Sequence, residues 1–224
     1  MEGKLYIVAT PIGNLEDITQ RAEKILKEVD IILAEDTRVT QKLLNYLNIK
    51  KPIWRCDDYA TNFQFESILT ELKNGKTMAL VTDAGTPNIA DPGYKLISFI
   101  RKNNSNIKII PIPGPSALTT AISFSGINAN QFTFLGYPPH KKGRKKFFET
   151  ILNIQIHPIV IFESPHRLLK TLEDLEKYYQ TNCHLIIIKE LTKIYEEFWE
   201  GDLKVAQNYF TGKKGKGEFI IIIP

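Results

Sequence analysis

Apolar positions along this chain follow two alternating rhythms. Short, mostly apolar runs at 5–9, 31–34, 78–81, 107–112, 132–135, 159–162, 185–188 and 219–223 predict strands, the first of them a buried one. Between them apolar residues recur at helical spacing. Ile18, Ala22, Ile25, Leu26 and Val29 predict a helix with Asp17 as its N-cap, and Leu43, Leu44 and Leu47 a short one. Phe65, Ile68, Leu69 and Leu72 predict a third helix closed by Gly75, and another begins near Tyr94. After Pro113-Gly114-Pro115, Ser116 is placed to cap a helix through Leu118, Ala121 and Ile122. Helices over 144–152, 168–178 and 205–210 complete the pattern. Strands alternating with helices predict an α/β protein with largely parallel sheets. The break at 113–115 predicts two lobes, 1–113 and 114–224.

Polar loops fall where these strands end, the place where open α/β sheets bind ligands. They are Thr10 to Leu15, Glu35 to Arg38, Thr82 to Gly93, Pro113 to Ala117, Glu163 to Arg167 and Glu190 to Lys193. The third, TDAGTPNIADPG, holds two Asp, two Gly and two Pro. Proline fixes φ and removes a donor, and glycine admits a ligand close to the backbone. Such a loop suits an uncharged or cationic ligand better than a polyphosphate. No GxGxxG, GxxxxGK[ST] or GxSxG is present, and four His and two Cys give no zinc spacing.

Composition changes the picture little. Of 224 residues 43% are hydrophobic and 24% charged, as in ordinary soluble domains. No stretch reads as a membrane span, and MEGKLYIVAT has no secretory-signal pattern. With only Cys56 and Cys183, a reduced, cytosolic protein is expected. Net charge is +4, but five cations crowd into 141–146 (Lys141, Lys142, Arg144, Lys145, Lys146), and 212–217 is a second basic stretch. Two readings stand for the first: a phosphate-binding surface or a solvated helix start. Glu35, Asp36 and Arg38 likewise read as a site or as a structural ion-pair cluster.

Several stretches carry a family resemblance: LYIVATPIGNLEDIT at 5–19, AEDTR at 34–38, LVTDAGTPNIADPG at 80–93, PIPGPSA at 111–117, FLGYPPHKKGR at 134–144, FESPHRL at 162–168, ELTK at 190–193 and KGE at 216–218. The sequence resembles the tetrapyrrole methylase superfamily, and within it the bacterial small-subunit ribosomal RNA cytidine-2′-O-methyltransferases. The resemblance implies a two-lobed α/β fold, with a mostly parallel sheet in the N-terminal lobe and a mixed one in the C-terminal lobe. It implies a homodimer acting on ribosomal RNA or the small ribosomal subunit, without a metal, and S-adenosylmethionine bound in the cleft between lobes. Carried over residue by residue, Asp83, Ala84, Gly85 and Pro87 wrap the cofactor, and Ile12 and Gly13 lie under it. Ser116 and Ala117 touch its methionine or ribose portion, and Phe162 and Leu191 wall the adenine. The sequence departs from the family at Asp57-Asp58-Tyr59-Ala60-Thr61, where relatives carry a His-x-x-Asn-Glu-like segment.

For ribose methylation a proton must leave the 2′-hydroxyl, so a polar group is expected within reach of it. Glu163, His166 and Glu190 are the candidate bases. Arg38 and Arg167 suit flanking phosphates, because a planar guanidinium binds phosphate through two bonds. Asp36, Lys141, Lys142, Arg144, Lys145 and Lys193 complete the expected RNA-binding set.

Overall fold

The computed structural model describes residues 2–104, 106–179, 183–211 and 217–224. The chain divides into two compact units, Met1–Ser116 and Ala117–Pro224.

The first unit is a five-stranded, wholly parallel sheet. Its strands are β1 (Lys4–Val8), β2 (Ile31–Ala34), β3 (Ile53–Arg55), β4 (Met78–Val81) and β5 (Lys108–Ile112), in the order β3-β2-β4-β1-β5. Four helices cover it: α1 (Gln20–Glu28), α2 (Thr37–Tyr46), α3 (Asn62–Lys73) and α4 (Tyr94–Asn103). Successive strand residues point to opposite faces, and β4 shows the consequence. Met78 and Leu80 pack with Phe65 and Leu69 of α3 and with Leu96 and Ile100 of α4. Ala79 and Val81 pack with Leu26 of α1 and Leu44 of α2 on the other face. Burial on both sides is why β2 and β4 read as unbroken apolar runs.

Local chemistry sets the helix starts. Thr19, not Asp17, caps α1, its hydroxyl accepting from the Ala22 N–H at 3.1 Å. Asp17 instead closes a one-turn 3₁₀ helix, Leu15–Asp17, capped by Asn14. Thr61 and Gln64 form a reciprocal capping box on α3. Asp36 caps α2 by accepting from the Arg38 N–H at 2.8 Å.

The second unit is built on a mixed sheet of β6 (Thr133–Phe134), β7 (Ile159–Glu163), β8 (His184–Lys189), β9 (Glu197–Asp202) and β10 (Phe219–Ile223), in the order β6-β7-β10-β8-β9. Only β6 and β7 run parallel. Its helices are α5 (Ala117–Phe124), α6 (Arg144–Ile151), α7 (Leu168–Tyr179) and α8 (Leu203–Phe210). Phe148 and Ile151 of α6, Leu172 and Leu175 of α7, and Leu203 and Ala206 of α8 bury one sheet face.

Two strands escape the hydrophobic pattern. β3 has three residues, none fully buried. β9 is an edge strand of alternating exposure whose charges pair across to β8, Glu197 with Lys189 and Glu200 with His184. Neither has the apolar run by which a strand is recognised. Both cysteines are free, and burial pushes each thiol up to about 11. Among the described residues no helix is long and apolar enough to cross a membrane, and no group of three or more His, Cys, Asp or Glu is placed to hold a metal ion.

Candidate active site

In the first unit the strand-end loops are joined to one another. The Thr10 N–H donates to the Gly85 carbonyl at 2.9 Å and the Gly85 N–H returns the bond at 3.0 Å. The Thr10 hydroxyl adds a buried bond to the Thr82 carbonyl. The loop after β2 joins through the Asp36 N–H, which donates to Asp83 at 3.0 Å, and through Glu35, which accepts from the Thr82 hydroxyl at 2.9 Å. The loop after β5 joins where Thr86 donates to the Pro115 carbonyl at 3.1 Å. Adjacent strands β1 and β4 leave toward helices on opposite faces, so these loops sit at a switch point of the sheet. Gly85 is required here: its φ is +82°, and an added Cβ would lie 3.3 Å from Ile12 Cγ2. Ile12, Gly85 and Pro87 are buried, Asp83, Ala84 and Ser116 half-buried and Gly13 exposed.

A cavity of about 580 Å³ opens beside these loops. Asp36, Arg38 and Asp83 line it, together with Glu35, Arg55 and the divergent segment Asp57-Asp58-Tyr59. The last group follows β3, whose brevity kept the sequence from marking this segment as a strand-end loop. Arg38 forks onto Asp36, and Arg55 pairs with Asp57 at 2.6 Å. The Arg38 guanidinium holds the Asp36 carboxyl well below the usual carboxylate range. Burial pushes Glu35 and Asp83 the other way, against the hydrogen bonds they accept.

That shift has a measurable sign. A carboxyl raised in the folded state binds more protons folded than unfolded, so its contribution to stability is lost as pH rises through its folded value. Between the ordinary aspartate value, about 4, and its raised folded value, Asp83 should therefore make thermal stability fall as pH rises, with no further effect above that window, and Asp83→Asn should flatten that part of the curve. Unfolding temperatures measured against pH for both proteins check this; parallel curves would refute the role of Asp83.

In the second unit the structure reassigns several residues. Glu163, expected as a base, is fully buried at the end of β7 with both oxygens engaged. One accepts from the Ser164 N–H and from Arg167, each at 2.7 Å; the other accepts from Thr171 at 2.5 Å. It is a structural anchor, because no substrate hydroxyl reaches a carboxylate so enclosed. Arg167, expected to hold phosphate, spends its fork on Glu163, Ser164 and the Pro138 carbonyl. Arg144, expected among the RNA-facing cations, is 6% exposed. It donates to Asp174, Thr171 and the Pro139 carbonyl and lies over the Phe148 ring. Both arginines leave the phosphate-binding set for the same reason: their donors are used inside the protein. Lys193 is tied to Glu190 at 3.0 Å and lies 3.8 Å from Glu218.

Other expectations fall on accessible groups. Lys141, Lys142, Lys145, Lys146 and His166 are exposed. Glu190 is mostly buried, with one oxygen accepting from Lys193 and from the Glu218 N–H at 3.0 Å. Its other oxygen has no hydrogen-bond partner among the described residues. Phe162 is buried edge-on to Phe134 and Tyr137, Leu191 is buried, and Ala117 opens α5. Lys213, Lys214 and Lys216 of the second basic stretch lie outside the described residues.

Comparison with known proteins agrees with the resemblance. Residues 4–207 match the family described as Tetrapyrrole (Corrin/Porphyrin) Methylases. The chain is 44% identical over 221 residues to "Ribosomal RNA small subunit methyltransferase I" of Thermotoga maritima, covering 99% of this chain and 98% of that protein. It is 42% identical over 221 residues to the protein of the same name from Synechocystis sp., covering 99% of this chain and 78% of the relative. Among solved structures, uroporphyrin-III-C-methyltransferase from Thermus thermophilus shares the fold, with a TM-score of 0.68 at 14% identity over 98% of this chain and 94% of that one. With the family match running through both units and such identities over nearly the whole length, this chain belongs to the tetrapyrrole (corrin/porphyrin) methylase family.

Proposed function

We propose that this protein is a methyltransferase of small-subunit ribosomal RNA that methylates the 2′-oxygen of a cytidine ribose. The methyl donor is S-adenosylmethionine. The observation that carries the reading is the joined set of strand-end loops around Thr10 and Gly85, borne by a chain some 40% identical to proteins named for ribosomal RNA methylation.

The residues present fit the donor. Asp83 is half-buried, one oxygen is fixed by the Asp36 N–H, and burial makes its carboxylate costly to charge, a cost that Arg38 offsets only in part. A sulfonium offsets that cost. Asp83, Ala84, Gly85 and Pro87, with Ile12, Gly13, Ser116, Ala117, Phe162 and Leu191, are the residues proposed to hold the cofactor. When bound, S-adenosylmethionine supplies an electrophilic methyl group for in-line displacement.

The protein's own work is alignment and proton removal. Arg38, with Asp36 fixing its fork, meets a phosphate beside the target, and the exposed lysines of 141–146 meet others. Glu190 would take the proton of the 2′-hydroxyl whose oxygen receives the methyl group as the methyl–sulfur bond breaks and S-adenosylhomocysteine leaves, with His166 the alternative base. Lys193 holds Glu190 in place. The protein works as a homodimer in the cytoplasm, where its ribosomal substrate is found. Light scattering that reports a fully active monomer removes the dimer.

Labelled S-adenosylmethionine incubated with small ribosomal subunits, with uroporphyrinogen or with neither tests the reading. Label in the RNA at a cytidine 2′-oxygen is expected; label in the tetrapyrrole alone would replace it. Replacing Lys141, Lys142, Lys145 and Lys146 with Gln should flatten the dependence of RNA affinity on salt. The slope should fall by up to about 3, at about 0.7 for each single-strand phosphate no longer neutralised. An unchanged slope makes the stretch an ordinary solvated surface.

A further inference from the structure

The residues withdrawn from phosphate binding form one buried chain of their own. Arg167 pairs with Glu163, Glu163 accepts from Thr171, Thr171 accepts from Arg144, and Arg144 pairs with Asp174. Thr171 and Glu163 are fully buried, and the Arg144 and Arg167 side chains are 8% and 14% exposed. From each of the two arginines in this chain one guanidinium nitrogen reaches out to the same loop. Arg167 donates to the Pro138 carbonyl at 2.9 Å and Arg144 to the Pro139 carbonyl at 3.2 Å. The next residues, His140, Lys141 and Lys142, are exposed, and the loop is bracketed by Gly136 and Gly143, both at positive φ.

We infer that Arg144 and Arg167 are positioning residues, which clamp the consecutive Pro138 and Pro139 carbonyls so that His140, Lys141 and Lys142 face RNA phosphates as a fixed array. The inference rests on the RNA-methylating reading of the site. Its physical basis is preorganisation. A loop held by proline and by two charge-assisted bonds has little freedom left to lose when RNA binds. Burial of the network also explains why arginine stands at both places. Each side chain must bond a carboxylate, a hydroxyl and a carbonyl at once, which a planar fork does and a single ammonium does not.

Arg144→Lys and Arg167→Lys test the clamp without changing net charge, so the count of cations available to RNA stays constant. Arg167→Lys is the milder, less buried change and keeps the test open where Arg144→Lys fails to fold. Amide hydrogen exchange over residues 140–143 should quicken in both variants while S-adenosylmethionine affinity stays at the wild-type value. The KM for RNA should rise about tenfold, the scale of re-ordering one or two side chains on binding, with kcat unchanged. Unchanged exchange overturns the clamp itself. Faster exchange with an unchanged KM overturns its service to RNA, and a loss confined to kcat would move the arginines into the chemistry and equally overturn it. A wild-type protein that binds no RNA refutes the underlying reading, a result distinct from a failure confined to the variants.

Discussion

Gly85→Val is expected to abolish measurable S-adenosylmethionine binding while leaving the protein folded. The backbone at Gly85 has φ +82°, a region that a β-branched residue enters at a cost of about 1–3 kcal/mol. The new Cβ would also lie 3.3 Å from Ile12 Cγ2 and 3.8 Å from the Pro115 carbonyl, with two further methyl groups to place. The chain can relieve this only by moving Gly85, and Gly85 is bonded in both directions to Thr10. The displacement therefore passes into the loop after β1 and, through Thr86 and Pro115, toward the loop after β5. The sheet itself is packed elsewhere, so far-UV circular dichroism should be unchanged and the unfolding temperature should drop by about 2–12 °C, at about 2–4 °C per kcal/mol for a chain of this size. Titration calorimetry decides the matter. Binding within about threefold of wild type, a change of less than 1 kcal/mol, would show that this loop does not hold the cofactor.

Where the fold was legible in the sequence, burial on both faces made it so. β4 is four buried residues between polar breaks, and no helix-length pattern competes with it. The loops after β1, β2 and β4 were legible by their Gly, Pro, Asp and Thr residues, while the bonds that join them run between segments 47 to 75 residues apart, which the sequence does not display. β3 and β9 were invisible because neither carries a buried apolar run: β3 is three residues, none fully buried, and β9 is a polar strand of alternating exposure. Arg55 was hidden along with β3, and Asp57, Asp58 and Tyr59 stood out only as a departure from the family, with nothing to place them at the cavity.

Arg144 is a different case, because a signal was present. Arg144, Phe148 and Ile151 are spaced four and three residues apart, and all three are buried on one face of α6. Lys145 and Lys146 lie off that stripe and are exposed. Reading 141–146 as one run of charge merged a core position with surface ones. Glu163 and Arg167 carried a similar signal at i and i+4, but nothing in the sequence says that Thr171 and Arg144 close the network around them. That closure needs the packing of α6 against α7, a tertiary fact.

Glu190→Gln and Glu163→Gln should fail in opposite ways, although both remove a carboxylate at a strand end. Glu190 has one oxygen held by Lys193 and by the Glu218 N–H and the other without a partner among the described residues. Glutamine keeps an oxygen for the held position, so the protein should stay folded. What it loses is the ability to take a proton, and loss of a general base typically costs about 10²- to 10⁴-fold in rate. The measurement is a single-turnover rate with saturating RNA and cofactor. Glu163 has no oxygen to spare. Glutamine there turns an amide NH₂ toward donors from Thr171 or from Ser164 and Arg167, and leaves the Arg167 charge without its partner. Breaking a buried pair by removing one member costs about 3–5 kcal/mol. At about 2–4 °C per kcal/mol, the unfolding temperature should fall by about 6–20 °C. The folded fraction of this variant should still turn over at close to the wild-type rate once RNA saturates it. A Glu190→Gln enzyme of near-wild-type rate would withdraw Glu190 as the base. His166→Ala then decides between the remaining accounts: a large loss assigns the proton to His166, and full activity assigns catalysis to alignment, with the proton leaving to water.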